Sequence, residues 1–222
     1  TAMESWLSKP ELLYADIDAI YTDTIDNNLN ELTEPVLACP NDPDNVKLLS
    51  GVSGNSIEEV FIGSCMTNIG HYRAAAKVLE GVGTNKAKLW VCPPTRMDEE
   101  ILKEEGYYKI FEEAGSRMEM PGCSLCMGNQ ARVKDKSKVF STSTRNFNNR
   151  LGTGAQVYLG SAELAAVCAL LGKIPTTQEY QSIAAKKIAP IASELYRYLS
   201  FNEIQDFENK GRLISKEQEA KL

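Results

Sequence analysis

The chain has 222 residues, 43% of them apolar and 24% charged, with a net charge of −6. That length can bury one sizeable core, and the acidic balance excludes the basic footprint of a nucleic-acid binder. No apolar run is long enough for a transmembrane helix, so no membrane partner is expected.

The N-terminus, TAMESWLSKPELL, has neither a signal-peptide pattern nor an initiating Met. A chain that begins inside a longer polypeptide is expected. Six cysteines (Cys39, Cys65, Cys92, Cys123, Cys126 and Cys168) do not read as a disulfide framework in an acidic chain of this size, so a reducing, cytoplasmic compartment is expected. The single histidine, His71, excludes a multi-histidine metal site and leaves little choice of general base.

Residues 3–9 read as a short helix stopped by Pro10. The acidic stretch after it reads as helix, then as a strand from Tyr21 to Leu29 with Ile25 inward. EPVLACPNDPDN is a Pro-bounded strand and a turn. Strands are predicted at 58–62, 88–91, 117–120 and 138–141, and a strand or turn at 156–159. Helices are predicted at 69–79, 98–105, 107–114 and 162–171, the last with Ser161 as N-cap, Glu163 in its first turn and Gly172 at its end. After Pro175 the pattern becomes helical with a charged end.

Alternating strands and helices predict an α/β domain with a mainly parallel sheet, plus a C-terminal helical extension. The predicted divisions are a lead-in over 1–45, the domain over 46–174 and the extension over 175–222. Ligands in such sheets sit beyond the carboxyl ends of the strands. Three polar loops follow predicted strands there: GSCMTN, PGCSLCMGNQ and STSTRNFNNR.

Cys65, Cys123 and Cys126 lie in Gly/Ser/Asn-rich loops and read as soft thiolate ligands for zinc, copper or an iron–sulfur cluster. A structural zinc asks for a fourth ligand, and Cys39, Cys92 and Cys168 are poor ones; Cys168, amid Ala, Val and Leu, reads as a core thiol. Three cysteines in two loops suggest a 4Fe-4S cluster with one open iron, a Lewis acid for hydroxyl and carboxylate oxygens. Arg145 and Arg150, taken alone, read as solvated loop residues; beside three thiols they read as forks for substrate carboxylates. Asn68 and Asn129 are candidate hydrogen-bonding groups around the sulfurs or substrate. Met66 and Met127 read as packing, and His71 as a solvated helix residue.

IGSCMTNIGHYRAA, PGCSLCMGNQARV and STSTRNFNNRLGTGA together resemble the aconitase family, and within it the C-terminal cluster-binding portion of the bacterial B branch. The resemblance implies a three-layer form of the α/β domain and a 4Fe-4S lyase interconverting citrate and isocitrate through cis-aconitate, with 2-methyl-cis-aconitate hydrated by some members. By motif it implies Cys65, Cys123 and Cys126 as cluster ligands and Arg145 and Arg150 as substrate-binding residues. Cys-Met-Thr-Asn here, where the wider family reads Cys-Thr-Asn, looks like the B branch. Thr144 stands where the family commonly has Asn. The family's catalytic serine and its His–acid pairs have no counterpart motif, so no catalytic residue is expected within this chain. A cluster-holding piece is expected that needs the remaining aconitase domains. A homoaconitase- or isopropylmalate-isomerase-type subunit and a non-catalytic metal-stabilised module are the alternatives.

Overall fold

The computed structural model describes residues 14–123, 125–129 and 132–196. The helix expected over 3–9 and the charged end after 196 lie outside them. Residues 30–196 form one compact unit. Described residues 14–29 belong to another and run as exposed chain without a strand, with Ile25 80% exposed. This corrects the inward strand expected over Tyr21–Leu29: Asp23 and Asn27 would share the face of Tyr21, Ile25 and Leu29, leaving no continuous apolar face to bury.

Among the described residues seven strands form one sheet: β1 (Val36–Ala38), β2 (Val46–Leu48), β3 (Glu59–Gly63), β4 (Lys88–Cys92), β5 (Arg117–Met118), β6 (Lys138–Ser141) and β7 (Gln156–Leu159). Their order is β2-β1-β7-β6-β3-β4-β5. The five strands from β7 to β5 pair in parallel, whereas β1 runs antiparallel to both β7 and β2. The β1–β2 hairpin was not anticipated, because every residue of the short β2 is exposed and it carries no buried alternation.

Side chains alternate across each strand, so the sheet has two distinct faces. Val60, Ile62, Leu89, Val91 and Phe140 share one core with helices α1 (Ile69–Leu79) and α4 (Ala162–Leu171). Residues 162–169 of α4 are all buried, Cys168 among them as expected of a core thiol. Ser161 caps α4 by accepting from Leu164 N, as its sequence signature predicts. Helices α2 (Arg96–Glu104) and α3 (Tyr107–Glu113) link β4 to β5, and helical turns continue over 177–195. Arg73 of α1, 5% exposed, forks onto Glu105 at 2.7 and 2.8 Å and donates to Leu195 O at 3.4 Å, tying these parts together.

The opposite face is covered by chain without regular helices. Phe61, Trp90 and Cys92 pack there with Cys123 and Cys126, and Val139 and Val157 pack with Val133, Leu151 and Ala155. The β5-to-β6 connection must travel from the sheet edge to its middle, past β4 and β3. It therefore lays the Cys-x-x-Cys loop over Phe61 and Trp90.

Candidate functional site

Parallel strands end on the same side, so the loops after β3, β5 and β6 meet at one edge. Cys65 stands two residues beyond β3. The turn that presents it bends at Ser64, whose φ of 119° costs a non-glycine residue backbone strain. A hydrogen-bond cluster holds that turn. Thr67 N donates to Ser64 O at 3.0 Å and Met66 N to Ser64 Oγ at 3.1 Å. Thr67 Oγ1 and Thr142 Oγ1 each donate to Gly63 O at 2.9 Å, and Gly63 N donates to Thr142 Oγ1 at 2.8 Å. Thr142, just past β6, thus fastens the first cysteine loop to the arginine loop. Cys65 itself is exposed.

The second loop presents Cys123 half-buried and Cys126 almost fully buried, with their sulfurs 3.6 Å apart. Cys65 lies close enough to Cys123 for each thiol to alter the other's protonation. The three thiols therefore divide their protons unequally. Hydrogen bonds from the Cys65 thiol and backbone, with help from the Arg150 charge, hold Cys123 below the usual thiol range. The hydrogen bond to Cys123 pushes Cys65 up, and burial pushes Cys126 up.

Two arginines reach this cluster. Arg150 donates from Nε to Cys126 O at 2.8 Å, places a terminal nitrogen 3.7 Å from Cys126 Sγ, and stacks over the Phe147 ring at 5.3 Å. Gly128, at φ 68°, allows this approach, since a Cβ there would lie 2.6 Å from Arg150 O. Arg145 is exposed, and its charge favours the Cys65 thiolate. The arginine loop is anchored by Asn146, 1% exposed, whose Nδ2 donates to Cys39 O at 2.7 Å and Val157 O at 3.2 Å. Asn146 escaped the sequence reading, because nothing in an Asn-rich loop distinguishes the one that turns inward.

Other expectations fare differently. Asn68 is the N-cap of α1, accepting from Gly70 N at 2.9 Å. Asn129 is exposed beside Gly128. Met66 and Met127 are 74% and 57% exposed, not packed as expected. His71 stands 3.4 Å from Glu163 at the start of α4 and edge-on to Tyr196, so it pairs within the helix layer. Cys39 offers its carbonyl to Asn146, and Cys92 turns its thiol toward backbone carbonyls.

Among the described residues no three His, Cys, Asp or Glu side chains converge tightly enough for a single metal ion. The donor set, three soft thiols from two loops with guanidinium charge alongside, suits a larger group of iron and sulfide. No helix among the described residues is long and apolar enough to cross a membrane.

The aconitase family (aconitate hydratase) matches residues 47–172, more than half the chain. The chain belongs to the aconitase family. It is 68% identical to the aconitate hydratase B of Synechocystis sp. over 220 residues, 99% of this chain and 25% of that protein. It is 59% identical to the aconitate hydratase B of Escherichia coli K12, over 94% of this chain and 24% of that protein. With the 3-isopropylmalate dehydratase large subunit of Saccharolobus solfataricus the identity is 34%, over 75% of this chain and 40% of that subunit. The chain thus spans about a quarter of the length of the B-type relatives.

Proposed function

We propose that this chain is the C-terminal, cluster-holding part of an aconitate hydratase, a hydro-lyase interconverting citrate and isocitrate through cis-aconitate. Dehydration of 2-methylisocitrate is a second reaction of the same site. The observation that carries this reading is the pairing of Cys123 and Cys126, 3.6 Å apart with Arg150 against Cys126, at the sheet edge where the loops of Cys65 and Arg145 also emerge. Cys65, Cys123 and Cys126 would hold a 4Fe-4S cluster, which when bound supplies an open iron as Lewis acid toward hydroxyl and carboxylate oxygens. Arg145 presents its guanidinium for a substrate carboxylate. Arg150 adds positive charge while bracing the loop of Cys126. Asn68 keeps the Cys65 turn at the head of α1, and Asn129 lies near enough in sequence to Cys126 to hydrogen-bond substrate or sulfide.

A general base is left to the parts of the enzyme beyond this chain, since its single histidine is engaged with Glu163. The partners are therefore a tricarboxylate and the remaining aconitase domains. The net charge of −6 gives a nucleic-acid partner no support. Six cysteines without a disulfide suit a reducing, cytoplasmic compartment.

Anaerobic reconstitution with iron and sulfide, followed by iron counting and EPR with and without citrate, tests the reading. Four irons per chain and a signal that shifts with citrate are expected, with loading lost in Cys65→Ser and Cys126→Ser and kept in Cys39→Ser and Cys168→Ser. Zinc retained in place of iron, or a signal blind to citrate, overturns it in favour of a metal-stabilised module. A homoaconitase-type subunit is disfavoured by 34–36% identity to such large subunits against 68% to the Synechocystis B-type protein.

A further inference from the structure

Cys92 closes β4 and is fully buried, yet it stands beside the thiol site rather than in the main core. Its Sγ lies 3.1 Å from Met120 O and 3.3 Å from Gly122 O, the two carbonyls that lead into Cys123. The backbone on either side is pinned to the same strand end: Glu119 N donates to Val91 O at 2.8 Å and Gly122 N to Pro93 O at 2.9 Å. Tyr72, buried in α1, donates to Cys92 O at 2.7 Å and fixes the residue from below. A thiol has one proton to give, and among the described residues its acceptors are carbonyl oxygens.

We propose that Cys92 is a positioning residue of the thiol site: its single S–H, shared between the Met120 and Gly122 carbonyls, ties down that turn and so fixes where Cys123 and Cys126 stand. The proposal builds on the reading of those thiols as one ligand set, but its primary test needs no cluster. The metal-free chain is alkylated with iodoacetamide and each cysteine is followed by mass spectrometry. Cys92→Val removes the donor at similar volume; Cys92→Ser restores a donor. Cys168→Val, in a core without loop contacts, controls for general loosening.

Alkylation of Cys126 is expected to quicken roughly two- to tenfold in Cys92→Val, the range set by one lost hydrogen bond. It should stay near the parent rate in Cys92→Ser and Cys168→Val. An unchanged rate in Cys92→Val, or equal acceleration in all three variants, overturns the proposal. If Cys92→Val lacks a cooperative melt, Cys92→Ala takes its place under the same expectations. Metal loading then separates positioning from ligation. Reconstituted Cys92→Ser should retain parent iron content, and loss of metal from Cys92→Ser as well as Cys92→Val makes Cys92 a ligand and overturns its role as a positioner. Failure of the parent chain to load iron strikes the proposed function alone and leaves the alkylation result standing.

Discussion

Single side chains set the geometry of the candidate site through carbonyls as much as through the thiols. Asn146 is the clearest case. Its buried amide holds two backbone oxygens from elements far apart in sequence. Asn146→Ala leaves both without that donor and should cost about 1–3 kcal/mol, read from urea unfolding. The two arginines should separate by function. Arg150 already engages the Cys126 loop, so Arg150→Lys, which lacks the planar fork, should impair cluster loading. Arg145→Lys should load normally but need roughly tenfold or more citrate to shift the EPR signal, the scale of a lost charge-assisted fork. Equal effects of the two substitutions on loading would refute that division.

At the scale of elements, strand ends and helix starts place the loops. Gly63 ends β3 where a Cβ would sit 2.7 Å from both Cys92 O and the Phe61 ring. Gly63→Ala should therefore destabilise the chain by about 1–3 kcal/mol through overpacking and lower cluster loading along with it, since Cys65 follows two residues later. In the helix layer Glu163 joins the starts of α1 and α4 to Tyr196. Burial opposes its charge, but hydrogen bonds from His71 and Tyr196 outweigh that and hold its carboxyl down to about 2. A carboxylate whose folded pKa is depressed contributes stability that is present above its unfolded value, near 4.5, and lost as pH falls toward about 2. The melting temperature should fall across that window in the parent chain. Glu163→Gln should flatten this portion of the curve while lowering stability at neutral pH, checked by thermal unfolding at a series of pH values.

For the whole molecule, the sheet brings the candidate ligand loops together, and under the proposed function it would do so without completing the catalytic site. The parallel strand order brings three loops to one edge, and the helices occupy one face only among the described residues. Met66, Met120, Met127 and Phe147 remain exposed around or near those loops. The chain covers about a quarter of its B-type relatives. The reconstituted 222-residue chain should therefore hold its cluster yet show no hydratase turnover with citrate or isocitrate. Substantial turnover would place a base within this chain and refute the half-site reading.

Much of this was legible from residue order alone. The helix over 69–79, the strand over 138–141 and the Ser161-capped helix over 162–171 follow from periodicity and caps, which are local properties. The three loop motifs, the aconitase resemblance and the candidate thiols and arginines were also readable, because short polar runs after strands carry their chemistry in their composition. Long-range juxtaposition was not readable. That the β5-to-β6 connection crosses the helix-free face, that Arg150 turns onto Cys126, that Asn146 reaches Cys39 and that Cys92 reaches Met120 and Gly122 depend on partners 24 to 107 residues away. The sequence by itself determined which residue types could do the chemistry and which segments fold locally. Only the tertiary structure decided which of them meet, because a contact between distant residues is set by sheet order and by which face each connection takes.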